Sequence, residues 1–272
     1  MKVIFVYKGI GGIKRLYDFV RRCKEMNELS NKHKDKEENM TNIFSCCGYT
    51  CCSKEVAGDI KLSQKDIKSL YNSLSAVYDI WGILAESRAR KRAIELAEIS
   101  NGQSILEVAV GTGLAFYEIV KRNPDGINIG IDISEGMLKK AQKRMRKIKS
   151  ANYELKIGSA FEIPYPDGSF DLLINNYMFD LISFDDMEKI LIEFRRVLKK
   201  GGKLILVNMT MGEKLGSRIY ELIYRLSPKL IGGCRPVKMS DKLNATGFHV
   251  ITREYHQQLL FPSEVILAEK KS

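Results

Sequence analysis

At 272 residues and 44% hydrophobic composition, the chain is long enough to bury a substantial core and too apolar for a disordered protein. Its 44 Lys and Arg against 33 Asp and Glu give a formal net charge of +11, which favours anionic partners (nucleic acid, anionic lipid, acidic substrates) without choosing among them. No uninterrupted apolar run reaches the length of a bilayer span, and the N-terminus lacks an apolar core followed by a small-residue cleavage site, so the chain reads as cytoplasmic.

Residues 1–60 read as a basic, cysteine-containing extension that is partly disordered, ahead of a catalytic domain over 61–272. Within it Ile13, Leu16, Tyr17 and Val20 share a helical face flanked by Lys14, Arg15, Arg21 and Arg22, a pattern suited either to peripheral contact with an anionic membrane or to packing on the domain. Cys46, Cys47, Cys51 and Cys52 cluster, but without the Cys-x-x-Cys pairs of a structural zinc site and with His33 as the nearest histidine, so no metal site is expected. Ser63 can cap a helix carrying Ile67, Leu70, Tyr71 and Leu74, and a second helix follows from about Ile83 to Ile99. With Tyr78 and Trp81 between them, these helices are expected either to form a lid over a site or to pack as ordinary apolar faces.

From Ser104 the chain alternates. Strands are predicted at 104–110, 127–132, 153–157, 170–175 and 203–208, with helices at 114–122, 135–149 and 186–198 between them. That order predicts an α/β fold, a doubly wound and mostly parallel sheet, with antiparallel pairing at the C-terminus where 247–251 and 265–268 follow one another without a helix. After the fifth predicted strand, Leu215, Ile219, Leu222, Ile223 and Leu226 fall at helical spacing, as a further lid or a packing helix. The first strand runs into Gly111-Thr112-Gly113, where the backbone can turn tightly against a ligand at a helix N-terminus. About twenty residues on, the second strand ends in Asp132, placed to accept from both hydroxyls of a ribose. At this point a nicotinamide dehydrogenase and other nucleotide-binding enzymes fit equally well.

Four segments narrow the choice: Ile-Leu-Glu-Val-Ala-Val-Gly-Thr-Gly (105–113), Gly-Ile-Asp-Ile-Ser-Glu-Gly-Met-Leu (130–138), Gly-Ser-Ala-Phe-Glu-Ile-Pro-Tyr-Pro-Asp-Gly-Ser-Phe-Asp (158–171) and Arg-Val-Leu-Lys-Lys-Gly-Gly-Lys-Leu (196–204). In this order and spacing they resemble class I S-adenosylmethionine-dependent methyltransferases over roughly residues 70–268. Within that class the motifs are similar to the ubiquinone/menaquinone C-methyltransferases and the bacterial phospholipid N-methyltransferases. The resemblance implies a seven-stranded Rossmann-like sheet with an antiparallel C-terminal strand and an N-terminal helical lid.

It further implies S-adenosylmethionine as cofactor. Gly111 and Gly113 would lie against its methionyl part, with Glu107 holding the amino group. Asp132 would take the ribose, Ile133 and Met137 the adenine face, Ser159 and Ala160 the adenine edge. Asn175 would face the methionyl group and the acceptor. Two departures stand out: Ala109 occupies a position where many members have glycine, and Ser159 one where many have an acid. Tyr78, Tyr177 and Asp180 are the candidates for assisting catalysis on the acceptor side, with His256 behind them. The acceptor implied is small and hydrophobic or membrane-derived, a quinol or a phospholipid amine, with a soluble metabolite as the alternative. A nucleic-acid acceptor is disfavoured, because Asn175-Asn176-Tyr177-Met178 stands where a Pro-Pro-Tyr type tetrapeptide would be expected and no target-recognition domain is present.

Overall fold

The computed structural model describes residues 86–213, 235–258 and 261–271. The predicted helix at 63–74, Tyr78, Trp81, the cysteine cluster, the 60/61 boundary and the apolar positions from Leu215 to Leu226 lie outside the described residues.

The first described helix, α1 (Ser87–Leu96), buries Ala89, Ala93 and Ile94 along one face. It is followed by β1 (Ser104–Val108), α2 (Leu114–Arg122), β2 (Ile127–Asp132), α3 (Glu135–Met145), β3 (Tyr153–Ile157) and β4 (Phe170–Asn176). Then come α4 (Phe184–Val197), β5 (Leu198–Met209), the short α5 (Ser240–Ala245), β6 (Phe248–Gln258) and β7 (Phe261–Lys270). Local chemistry sets several of these limits. Ser134 caps α3 by accepting from the Met137 amide, and Ser183 caps α4 by accepting from the Asp186 amide. Asp185 and Asp186 in the first turn of α4 and Arg195 and Arg196 in its last complement the helix dipole.

The seven strands form one sheet in the order β3-β2-β1-β4-β5-β7-β6. All pairings from β3 to β5 are parallel, and β7 runs antiparallel to both β5 and β6. Both faces are covered. On one, α1, α2 and α3 contribute Ala93, Phe116, Ile119 and Met145; on the other, α4 and α5 contribute Met187, Leu191, Phe194 and Leu243. The expected doubly wound sheet with an antiparallel C-terminal strand is therefore the observed one. Several limits differ from the sequence expectation: β1 ends at Val108 rather than 110, α3 at Met145 rather than 149, and α4 runs from Phe184 to Val197. β5 begins at Leu198, where Leu198 pairs with Phe170 ahead of an irregularity that absorbs the Lys-Gly-Gly stretch. β6 and β7 are longer than predicted, and α5 was not predicted at all.

The order of strands decides where a ligand can sit. From β1 the chain winds outward through β2 and β3 on one side, and from β4 through β5 on the other. Helices thus leave the carboxyl ends of β1 and β4 in opposite directions and open a crevice between them, the position at which open parallel sheets bind ligands.

Candidate active site

Three consecutive residues of the loop after β1 are tethered over this crevice. The Val110 amide donates to the Ile131 carbonyl (3.1 Å), the Gly111 amide to Asp132 Oδ2 (2.7 Å), and the Thr112 carbonyl accepts from Arg144 Nε of α3 (2.9 Å). The other Asp132 oxygen accepts from the Ser134 amide (2.8 Å). Asp132 is buried, which raises its carboxyl pKa from the ordinary value, while the Ser134, Gly111 and Ile133 amides pull it back down.

Ala109, Gly111 and Gly113 all lie in the left-handed region, with φ of 60°, 57° and 79°. At Ala109, where many members of the family have glycine, this backbone conformation carries strain that glycine would not. Gly113 is held for a second reason: a Cβ there would come within 3.0 Å of Ala141 Cβ, so it lets α2 start close against α3. Opposite outcomes follow in thermal unfolding. Ala109→Gly is expected to stabilise the fold by about 1 kcal/mol, a rise in Tm of roughly 2–4 °C. Gly113→Ala is expected to lower stability by about 1–3 kcal/mol.

A cleft opens over the loop. Asp132, Ile133 and Met137 form one side, and Gly158, Ser159, Ala160 and Phe161, which continue from β3, form the next. Tyr177, Met178, Leu181 and Ile182, from the segment after β4, form the far wall. A second hollow shares Ala109, Gly111, Asn176 and Tyr177 with the first and adds Glu86, Arg90 and Glu107.

Glu107 is buried, and burial pushes its carboxyl up to about 8 against the opposing influence of Asn176 and Arg90. Its Oε1 accepts from Asn176 Nδ2 (3.2 Å), while Oε2 has no hydrogen-bond partner among the described residues. Glu86, one turn before Arg90 on the approach to α1, is likewise buried and raised to about 7 by burial, with the Arg90 guanidinium 4.0 Å away tempering the shift. This end of the site thus holds two carboxyls and a guanidinium.

The two-residue period of the strands explains which β4 side chain reaches this end. Glu107 pairs in register with Ile174, and Ile105 with Leu172, all on the face covered by α1 and α2. Two residues beyond Ile174 is Asn176, which bonds Glu107. Asn175 points to the opposite face, where its Nδ2 donates to the Val108 carbonyl (2.8 Å) and contacts Met178 Sδ (3.6 Å). It is fully buried and does not line the cleft, so the structure puts Asn176 where the sequence put Asn175.

The remaining sequence candidates divide. Tyr177 lines both hollows, carries φ of 53°, and bonds through its hydroxyl to Ser263 Oγ of β7 (3.0 Å). Burial raises its phenol well above the ordinary value, so it stays protonated. Asp180 is fully buried and does not line the cleft; burial raises its carboxyl strongly, against the pull of nearby backbone amides and Arg235. His256 sits on β6 in a surface cluster with Glu254 (3.0 Å) and Arg92, apart from the cleft. Sequence reasoning missed Glu86, Arg90, Asn176, Phe161 and Leu181. Two signals pointed to some of them: the Glu86/Arg90 spacing of four on the helix preceding the glycine strand, and the parity that links Asn176 to Ile174 and Leu172.

The donor set fits S-adenosylmethionine. Asp132 carries fixed acceptor oxygens, Ile133 and Met137 line the cleft with apolar surface, and Glu107 has an oxygen without a partner among the described residues, which are the kinds of group that ribose hydroxyls, a base and an ammonium require. Among the described residues no group of three metal-ligating side chains is assembled, and no helix is long and apolar enough to cross a membrane.

Comparison with known proteins agrees with this geometry. A methyltransferase-domain profile matches residues 99–242, more than half of the chain. The demethylmenaquinone methyltransferase of Listeria welshimeri is 30% identical over 152 residues, covering 53% of this chain and 63% of that enzyme, so the chain spans about three fifths of the length of such relatives. Among solved structures, a possible histamine N-methyltransferase of Thermotoga maritima superposes with a TM-score of 0.58 at 23% identity, over 75% of this chain and 99% of that one. The [4+2]-cyclase SpnF superposes with 0.62 at 15% identity, over 79% and 99%. At such identities the structural likenesses establish the fold. Together with the profile, they mean that the chain belongs to the methyltransferase-domain family, built on the class I S-adenosylmethionine-dependent fold.

Proposed function

We propose that the cleft binds S-adenosylmethionine and transfers its methyl group to an apolar, membrane-derived acceptor, a quinol in the first instance. The observation that carries this reading is the pairing of two fixed carboxyls, Asp132 and Glu107, at separate places around one loop, with an apolar wall of Met178, Leu181 and Ile182 beside them. The likeness to demethylmenaquinone methyltransferases supports a quinol over other acceptors.

When bound, the cofactor supplies a sulfonium methyl already activated for displacement, so alignment and dryness carry most of the catalysis. Asp132 holds the ribose. Glu107 receives the ammonium of the methionyl tail and Arg90 its carboxylate. Ser159 and Ala160 meet the edge of the base, with Ile133 and Met137 against its face. Tyr177, between the two hollows and pinned to Ser263, excludes water from the acceptor side. Its raised pKa makes it a poor base, and Asp180, buried outside the cleft, acts at most by positioning the segment that carries Tyr177. Tyr78, which lies outside the described residues, is proposed as the third acceptor-side group. Contact of the basic N-terminus with a membrane surface would deliver such an acceptor.

The test is incubation of the purified chain with methyl-labelled S-adenosylmethionine and a lipid extract containing demethylated quinol, followed by identification of the product by mass. Label on a quinol is expected. Label on a phospholipid amine would move the acceptor within the membrane-derived class, and label confined to a soluble metabolite fraction would overturn that class.

A further inference from the structure

We propose that Ser263 of β7 is a positioning residue of the site, which acts through Tyr177 to keep open the passage between the two hollows. This rests on the methyltransferase reading, in which one ligand reaches both Asp132 in the first hollow and Glu107 in the second. Such a ligand has to pass the residues that the hollows share, Ala109, Gly111, Asn176 and Tyr177. Ala109 and Gly111 have little or no side chain, and Asn176 is bonded to Glu107 (3.2 Å). The aromatic ring of Tyr177 is therefore the group whose placement opens or narrows the passage.

Tyr177 holds a backbone conformation, φ 53°, that a residue other than glycine enters only at a cost. Two bonds keep it there. Its amide donates to the Val207 carbonyl of β5 (2.7 Å), and its phenol reaches past β5 to Ser263 Oγ (3.0 Å). Register places the serine: Ser263 pairs with Met209 at the carboxyl end of β5, and the two-residue period puts its side chain on the face of Val265 and Leu267, where Tyr177 also packs. Ser263 Oγ is also placed to donate to Met209 Sδ (3.9 Å). With the serine proton directed at sulfur, the phenol donates to Ser263. That bond is buried, so neither hydroxyl is offered to a ligand, and its effect on the site is to hold the ring. Once the bond is lost the ring gains orientations that turn it into one hollow or the other. Only a fraction of the molecules then present an open passage, and apparent affinity falls by that fraction.

The experiment is calorimetric titration of the full chain with S-adenosylhomocysteine, as wild type, Tyr177→Phe, Ser263→Ala and the double variant, with thermal unfolding of each. Both single variants keep the ring and delete one end of the same bond. Each is expected to weaken the ligand by about 3–10-fold, the span of one net hydrogen bond. The double variant is expected to be no weaker than either single one, because the bond is already gone. A lower Tm with unchanged affinity in the single variants makes the bond purely structural and overturns the proposal. Losses that multiply in the double variant overturn it too, since the two hydroxyls would then act independently, as does a loss in Tyr177→Phe that Ser263→Ala does not reproduce. Those outcomes leave the methyltransferase reading standing, whereas a folded wild type that does not bind S-adenosylhomocysteine overturns that reading and this inference with it.

Discussion

Replacing Asp132 with asparagine is expected to weaken S-adenosylmethionine binding by about 100-fold or more while leaving the fold intact. Each carboxylate oxygen accepts from a backbone amide, Gly111 at 2.7 Å and Ser134 at 2.8 Å. An asparagine can satisfy one of these and must turn its NH₂ toward the other, setting donor against donor in a buried place. Charge-assisted hydrogen bonds of this kind contribute about 1.5–3 kcal/mol each, so the loss of one, together with the loss of a ribose acceptor, reaches that factor. The variant disturbs the loop and the ligand together because the same carboxylate serves both. Calorimetric titration, with circular dichroism to confirm folding, measures it; near wild-type affinity would remove Asp132 from the site.

The second large effect is a dependence of cofactor affinity on pH that Glu107 sets. Its carboxyl stands at about 8, well above the ordinary value of 4.5, because burial disfavours the charge. Receiving an ammonium requires the carboxylate, so binding has to drive the proton off whenever the pH lies below 8. Affinity is expected to rise toward pH 8 by up to tenfold per unit, leaving it roughly 100-fold weaker at pH 6. Above pH 8 the profile turns over as the α-amino group of the cofactor, with a pKa of about 7.7–8.0, loses its own proton. Glu86 at about 7 and Arg90, both facing the same hollow, together with the nearby Asp132, Tyr177 and Asp180, modulate the slope without changing its sign.

The same shift has the opposite consequence for the free protein. A carboxyl whose folded pKa exceeds its unfolded one contributes stability that is fully present below 4.5 and is lost as the pH rises through 8. Glu107→Gln removes that liability. The variant is therefore expected to unfold at a higher temperature than the wild type at pH 8 without cofactor, to bind the cofactor about 100-fold less tightly there, and to show a flat profile below it. An unchanged pH profile in Glu107→Gln would place the ammonium elsewhere.

Much of the fold was legible because short parallel strands in the sheet interior leave apolar runs with sharp ends: 127–132 matched the observed strand residue for residue, and alternation alone was enough at 153–157, a half-exposed edge strand that also matched. Where burial was irregular the pattern faded. β6 carries Arg253, Glu254 and His256 along an edge strand, and its polar residues read as loop. The start of β5 was masked by Gly201 and Gly202, which look like a turn but sit within the strand. In the site, residues fixed by their place in a motif were easy to name, whereas those fixed by pairing across the sheet were not. Asn175 and Asn176 are chemically the same, and only the register of β4 against β1 tells which one meets Glu107.

The three tethers on Val110, Gly111 and Thr112 give the free protein a loop whose shape is settled before any ligand arrives. Its conformational entropy has been surrendered during folding, with β2 and α3 as the anchors, so none of the affinity is spent ordering it. A stiff loop of this kind works as a ruler between the two carboxyls, rewarding a molecule whose ribose and amino group are the right distance apart and unable to stretch for one whose are not.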